Sequence, residues 1–379
     1  MARAVLLVLV AGVAPLAAQE APQRTVEFTG LALANAYVNT APVNNLDVPQ
    51  FALASPAATS AVGASIRQSR LGAFLTDPNV LAGTFTGELD ADFFGATQTS
   101  GGRAFALLRL RRAVGILAWQ HVQVLFGQES PLVSERNPRS LASIGVPEFT
   151  AAGNLWLWIP QIRVTAQTGS DVRVAVQVAA LGPTIGPPAS DTGLTGPDSA
   201  QRSGRPFLEG RVRLAWGPSD DPSEVAIGGH LGWLAQGDSL IPSRAGTADA
   251  RIVVGRWELI GEGFVGQALA VLGGGGIGQN LGPRGAPVRT HGGWAQLNWK
   301  PSHGLLLGAG CGVDDPNAAD LTTATGAEQG RLKNMACAGH VDVRPGSLVL
   351  GLEVRHLTTT YASGDYAATQ VNLATGFQF

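Results

Sequence analysis

The stretch from Ala367 to Phe379 constrains this chain more than any other. Val371, Leu373, Thr375, Phe377 and Phe379 fall on one face of an extended strand, and Gln370, Asn372, Ala374, Gly376 and Gln378 on the other. A long two-faced strand closing on Phe is unusual at the end of a water-soluble body. It suits a cylinder wall, which pairs its last strand with its first and turns one side of each strand to lipid. The expectation is an all-β fold, a transmembrane antiparallel β-barrel.

The other terminus agrees. Arg3 precedes an apolar run from Ala4 to Leu16, and small residues follow at Ala17 and Ala18. This pattern predicts a secretory signal peptide over 1–18, cleaved on export, and a single barrel over 19–379. No other stretch reaches the roughly 18 apolar residues that a spanning helix needs. Charged residues are 14% of the chain, with 50 Gly and 8 Trp. A soluble domain carries about 25% charge. The net charge of −2 leaves no nucleic-acid footprint.

Sixteen segments read as strands: 25–37, 63–75, 83–94, 103–114, 119–127, 160–168, 171–181, 206–216, 224–235, 247–254, 257–267, 291–299, 304–313, 331–344, 347–359 and 367–379. Counting back from a periplasmic residue 379, every periplasmic connection is short: 76–82, 115–118, 168–170, 217–223, 255–256, 300–303 and 344–347. They carry the Pro, Gly, Asp and Ser of tight turns. The extracellular connections are mostly long: 38–62, 128–159, 182–205, 268–290 and 314–330. Short turns below and long loops above are how membrane barrels are built.

Alternation within the segments supports the same register. Val172, Val174, Val176 and Val178 oppose Arg173 and Gln177, and Leu348, Leu350, Leu352 and Val354 oppose Glu353 and Arg355. The apolar set faces lipid and the polar set a wet lumen, inverse to a soluble barrel. Trp216, Trp257, Trp299 and Phe379 lie on the lipid parity at periplasmic strand ends, where an aromatic girdle belongs. Cys311 and Cys337 fall on neighbouring strands and on the apolar parity. They are either two small lipid-facing hydrophobes or a cross-strand disulfide formed on export.

Several short segments resemble the trimeric, sixteen-stranded outer-membrane porins of Gram-negative bacteria, most of all the dicarboxylate-type (DcaP-like) porins. They are Gln68 to Gly72, Gly87 to Gly95, Leu108 to Ala113 and Pro160 to Thr165. The last thirteen residues likewise resemble the C-terminal signature that the barrel assembly machinery recognises in its clients, with Phe379 as the assembly signal. The resemblance implies an outer-membrane channel, a homotrimer, no cofactor and no enzymatic activity. Some members carry an N-terminal coiled coil, but here residues 20–24 lead straight into a strand, so a trimer rests on the barrel alone. The resemblance also implies that loop 128–159 folds inward and narrows the pore, with Glu129, Glu135, Arg136, Arg139 and Glu148 on it.

The lumen parity carries cations at Arg67, Arg109, Arg111, Arg163, Arg173, Arg211 and Arg213, all in the first eight strands, and anions at Glu88, Asp90 and Asp92. Arg keeps its charge at any pH and offers a planar fork that matches carboxylates. Opposed ladders of Arg and carboxylate create a transverse field, and an excess of Arg favours anions. A channel for small hydrophilic solutes that prefers anions such as dicarboxylates is the reading adopted. The alternative is that these Arg pair with neighbouring carboxylates and stiffen the wall.

Other classes carry less. A barrel with an adhesive or structural role would use the long loops for binding. A barrel enzyme would need nucleophile and base on its wall, and no Gly-x-Ser-x-Gly elbow or P-loop occurs. Gly273 to Gly278 matches dinucleotide-fingerprint spacing, but Pro283 and Pro287 forbid the helix that must follow, so a mobile external loop is expected. The six His are scattered without metal-ligand spacing.

Overall fold

The computed structural model describes residues 23–55, 57, 59–95, 106–186, 196–321 and 330–379. The expected signal peptide, 1–18, lies outside them. The described chain forms one closed antiparallel sheet. In chain order its strands are β1 (Thr25–Asn39), β2 (Ala61–Ser65), β3 (Arg70–Val80), β4 (Gly83–Asp92), β5 (Arg109–Ala118), β6 (Val122–Glu129), β7 (Ile159–Thr168), β8 (Val172–Leu181) and β9 (Phe207–Trp216). The second half comprises β10 (Ser223–Gln236), β11 (Ser239–Val254), β12 (Trp257–Gln267), β13 (Arg289–Ser302), β14 (Leu305–Pro316), β15 (Arg331–Val343), β16 (Leu348–Tyr361) and β17 (Gly364–Gln378).

From β3 onward each strand pairs with the next in sequence, and the seam closes where β1 pairs with β17. On its other side β1 pairs with β2 through Asn35–Asn39 and with β3 through Thr25–Leu31. β2 and β3 are therefore two lengths of one interrupted stave, and the barrel has sixteen staves. At one rim the connections are turns: 81–82, 119–121, 169–171, 217–222, 255–256, 303–304 and 344–347. At the other lie the longer connections, including 40–60, 130–158 and 268–288, together with two tight hairpins at 237–238 and 362–363.

The alternation places apolar side chains outside. Val172, Val174, Val176 and Val178 are 53, 39, 52 and 55% exposed, whereas Gln177 between them is buried. Inside, Asn35, Gln296, Asn298, Gln370 and Asn372 are all buried, the inverse of a soluble core. Trp257 and Trp299 sit opposite each other in the ladder, stacked at 5.7 Å on the outer face of the turn rim. Cys311 and Cys337 are also directly opposed, and they form a disulfide.

Several boundaries depart from the sequence reading, and three of them have a packing reason. The segment 63–75 is broken at 66–69, because Arg67, Gln68 and Ser69 leave the ladder to bind inside the barrel. β5 continues to Ala118, so its turn is 119–121 and not 115–118. Gly115 is in the ladder, opposite Gly87 and Phe126, and a Cβ there would lie 2.5 Å from the Phe126 ring. The glycine makes room for a ring and does not mark a turn. β11 starts at Ser239, eight residues before the expected 247, because the hairpin through Gly237 and Asp238 carries the ladder past Pro242.

Candidate channel lumen

The segment 130–158 begins at the rim of the longer connections and turns into the barrel interior. Leu132 N donates to Glu209 on β9 at 2.6 Å. Arg136 donates to Asp249 on β11 at 2.9 Å, to Glu224 on β10, and through its backbone N–H to Glu262 on β12. Arg139 donates twice to Glu258 on β12, at 2.6 and 2.8 Å. Gln296 on β13 holds the Arg139 backbone, donating to its carbonyl and accepting from its N–H. Ser140 donates to Glu353 on β16, and Asn334 on β15 donates to the Ala151 carbonyl. The segment is thus tied to staves around much of the wall.

Gln68 makes the return anchor. It is fully buried, donates to the Ala142 carbonyl at 2.8 Å and accepts from the N–H groups of Ile144 and Gly145, both at 2.8 Å. Glu148 lies wholly buried between Arg355 (3.4 Å) and the Glu353 carboxylate. Burial first, and then the Glu353 charge, push the Glu148 carboxyl well above its ordinary range.

Between β4 and β5 the ladder slips: Asp90 opposes Arg112, but Ala91 opposes Leu110. Arg111 is the extra residue of a β-bulge. The bulge turns Arg109, Arg111 and Arg112 all inward. Arg109 donates to Asp92 at 2.6 Å and lies 5.4 Å from the Trp158 ring centre. Arg112 donates to Glu88 at 2.5 Å and pairs with Glu129. Arg111 stacks 4.5 Å over Trp158, with Asp90 and Asp92 at 3.7 and 3.6 Å, and its Nε and Nη1 have no hydrogen-bond partner among the described residues. Strict alternation from Arg109 and Arg111 turns Arg112 to the lipid side. Two consecutive arginines in a strand were the available signal, since one of them would otherwise face lipid at high cost.

The remaining expected residues fall as follows. Arg163 and Arg211 both donate to Glu135, at 2.5 and 2.7 Å, and Arg211 also to Asp249. Arg213 meets Glu224 at 3.4 Å near the turn rim. Arg173 is half-buried at the start of β8 and forms no ion pair among the described residues. Arg67 is not on a strand; it is buried on Asp47 of segment 40–60 at 2.6 Å. The cations are not confined to the first eight strands, because Arg251 and Arg355 also face inward on Glu258 and Glu353. The reading missed Gln68 as an anchor, Arg70, which pairs with Asp90 at 2.7 Å, and the acids Glu224, Asp249 and Glu258; Glu353 it placed on the lumen face without its partner Ser140. Their importance comes from loop partners distant in sequence.

Beneath the inward segment a cavity of about 780 Å³ remains. Its charged lining consists of Arg70, Arg111, Arg112, Arg139, Arg163 and Arg344 against Glu88, Asp90, Glu129, Glu135 and Asp342, six cations to five anions. Segment 268–288 does not stand out as the expected external loop. Leu269 and Leu272 are fully buried, and Leu272 accepts from the backbone N–H groups of Trp156 and Leu157. The buried Asp314 accepts from the N–H groups of Gly276 and Ile277. An apolar cluster of Leu132, Leu155, Phe207, Leu269 and Leu272 packs there. No group of three or more metal-ligating side chains occurs among the described residues.

No family model and no curated protein matches this chain. Solved structures do. The chain is similar to the outer membrane channel DcaP of Acinetobacter baumannii, at 17% identity and a TM-score of 0.69, over 94% of this chain and 97% of that one. It is similar to an anion-selective porin from Comamonas acidovorans, at 15% identity and a TM-score of 0.60, over 94% and 100%. A trimer form of the outer membrane protein OmpT of Vibrio cholerae matches at 10% identity and a TM-score of 0.52, over 94% and 100%. The fold is that of the sixteen-stranded porins.

Proposed function

We infer that this barrel is a diffusion channel of the outer membrane for small hydrophilic solutes, with a preference for anions such as dicarboxylates. The observation that carries the reading is the cavity beneath the inward segment, walled by arginines on β3, β5 and β7 and roofed by 137–147. Six cations less five anions leave one positive charge in that lining. Most of these arginines hold a carboxylate, so the wall-stiffening role operates alongside selectivity. Arg111 supports the anion preference, because it lines the cavity and its charge is answered only loosely, by Asp90 and Asp92 at 3.7 and 3.6 Å. The planar forks of the lining arginines match the carboxylates of a small dicarboxylate.

The remaining parts of the reading follow from the same picture. Loops 40–60, 130–158 and 268–288 belong to the extracellular rim and the turns to the periplasmic one. Segment 130–158 is the constriction; Glu135, Arg136, Arg139 and Glu148 lock it to the wall, whereas Glu129, expected on it, ends β6 and holds Arg112. The signal peptide over 1–18 is removed on export. Phe379, which exchanges backbone hydrogen bonds with Gly30 at 2.9 and 3.0 Å, is the assembly signal at the seam. The Vibrio trimer of the same fold supports a homotrimer. Planar-bilayer reversal potentials in a KCl gradient test the channel and its preference together; a cation-selective potential removes the anion claim.

The apolar cluster in the loop-side mouth favours a second reading, a closed barrel with a structural or adhesive role. Liposome swelling in sugars separates the two: solute flux supports the channel, and its absence the second reading.

A further inference from the structure

Outward-facing arginines gather on the wall just below the loop rim. Ser243 is fully buried and donates to the Ala268 carbonyl inside, so Arg244 beside it points outward. Thr290 is buried on Asp314, so Arg289 also points outward. The register sets Arg244, Gln267 and Arg289 side by side on β11, β12 and β13. At ~4.8 Å per strand the two arginine backbones stand roughly 10 Å apart. On β10, Trp233 opposes Pro242 and carries the guanidinium of Arg205 at 5.2 Å from its ring centre.

The depth of this row is informative. Below Arg244 the outward residues of β11 are Gly246, Ala248, Ala250, Ile252 and Val254, with no charge among them. Ten residues separate Val254 from Arg244. At ~3.3 Å per residue and a tilt near 45°, that is about 23 Å, close to the roughly 25 Å apolar band of such barrels. The row therefore stands where acyl chains give way to headgroups, the level at which an amphipathic Trp is at home.

The charge balance differs from that of the lumen. Inside, Arg112, Arg163 and Arg211 each hold carboxylates. Outside, Arg289 pairs with Asp320 at 2.6 Å and Lys333 with Asp315 at 2.6 Å. Arg205 and Arg244 have no carboxylate among the described residues, and Arg244 reaches only the Gln267 amide at 3.4 Å. A groove of about 400 Å³ runs past Arg244, Gln267, Arg289 and His291. We propose that this row is a docking site for the phosphorylated headgroup of a membrane lipid in the leaflet at the loop rim. Arg244 forks its phosphate oxygens, Arg289, whose Nε and Nη2 hold Asp320, adds its remaining Nη1, Trp233 and Val265 meet its acyl chains, and Arg205 adds charge at the border.

Native mass spectrometry of the refolded protein in detergent tests this with three probes: a bisphosphorylated lipid A, the same lipid dephosphorylated, and inorganic phosphate. The phosphorylated lipid is expected to bind at least about tenfold more tightly than the dephosphorylated one. Arg244→Gln/Arg289→Gln should abolish that margin with bilayer conductance unchanged. Asp320→Asn, which frees Arg289, should tighten binding and keeps the test decisive if the double variant folds poorly. Equal binding of both lipids, or binding insensitive to Asp320→Asn and the double variant, overturns the proposal. So does saturation by inorganic phosphate alone, which would make this a soluble-anion site.

Discussion

Replacing Gln68 by Ala isolates the force that holds segment 130–158 across the barrel. The change removes one donor and one acceptor, and it orphans the Ala142 carbonyl and the Ile144 and Gly145 N–H groups. Each hydrogen bond contributes about 1 kcal/mol net, so the three together give roughly 3 kcal/mol. At about 1.4 kcal/mol per tenfold, the local undocking equilibrium rises on the order of 100-fold. Hydrogen exchange reads this directly, because the amides of Ile144 and Gly145 exchange through local opening. Their protection should fall by about that factor, while amides in the β10–β11 ladder keep theirs. Gln68→Glu retains the acceptor for both N–H groups and loses only the donor, so it should fall between wild type and Gln68→Ala. In single-channel records the Ala variant should show larger or noisier steps as the segment lifts. Unchanged protection at 144 and 145 would refute the claim that this side chain anchors the segment.

Arg111→Ala removes the lining cation whose N–H groups are unmet, taking the six-to-five balance to parity; bilayer reversal potentials should move toward cations, and a double Arg109/Arg111→Ala variant further. Opening the Cys311–Cys337 bridge, 26 residues apart, should cost about 3.5 kcal/mol by loop-closure entropy, read as a lower unfolding temperature of the reduced protein on a gel-shift melt. For Glu148, the folded carboxyl titrates above its ordinary value of 4.5, so the docked segment binds more protons than the free one. Docking is then strongest below pH 4.5 and weakens as pH rises from there through the raised value; Glu148→Gln should flatten that slope in hydrogen exchange of residues 142–151.

The wall was legible in the sequence because its rule is local. A strand shows alternate faces with a period of two, so Val172 to Val178 and Leu348 to Val354 announce which side meets lipid without reference to any partner. Turn chemistry is equally local, and the turns at 255–256 and 344–347 fell where Gly, Arg, Pro and Ser placed them. The rule failed where packing overrode it. Gly115 reads as a turn residue and is a ring seat under Phe126. The register slip at Ala91 swung Arg112 from the lipid parity to the lumen. Gly273 to Gly278 reads as loose external chain and is held inside by Asp314 and the Leu269–Leu272 turn.

By itself, then, the order of residues determined an inverted cylinder with turns at one rim and long connections at the other. What fills the cylinder was decided only by tertiary structure. Arg139 finds Glu258 across 119 residues and Arg355 finds Glu148 across 207, and no local period encodes such pairings. They arise because barrel closure brings distant staves around one enclosed space, where each buried charge must find a counter-charge from whichever segment reaches it.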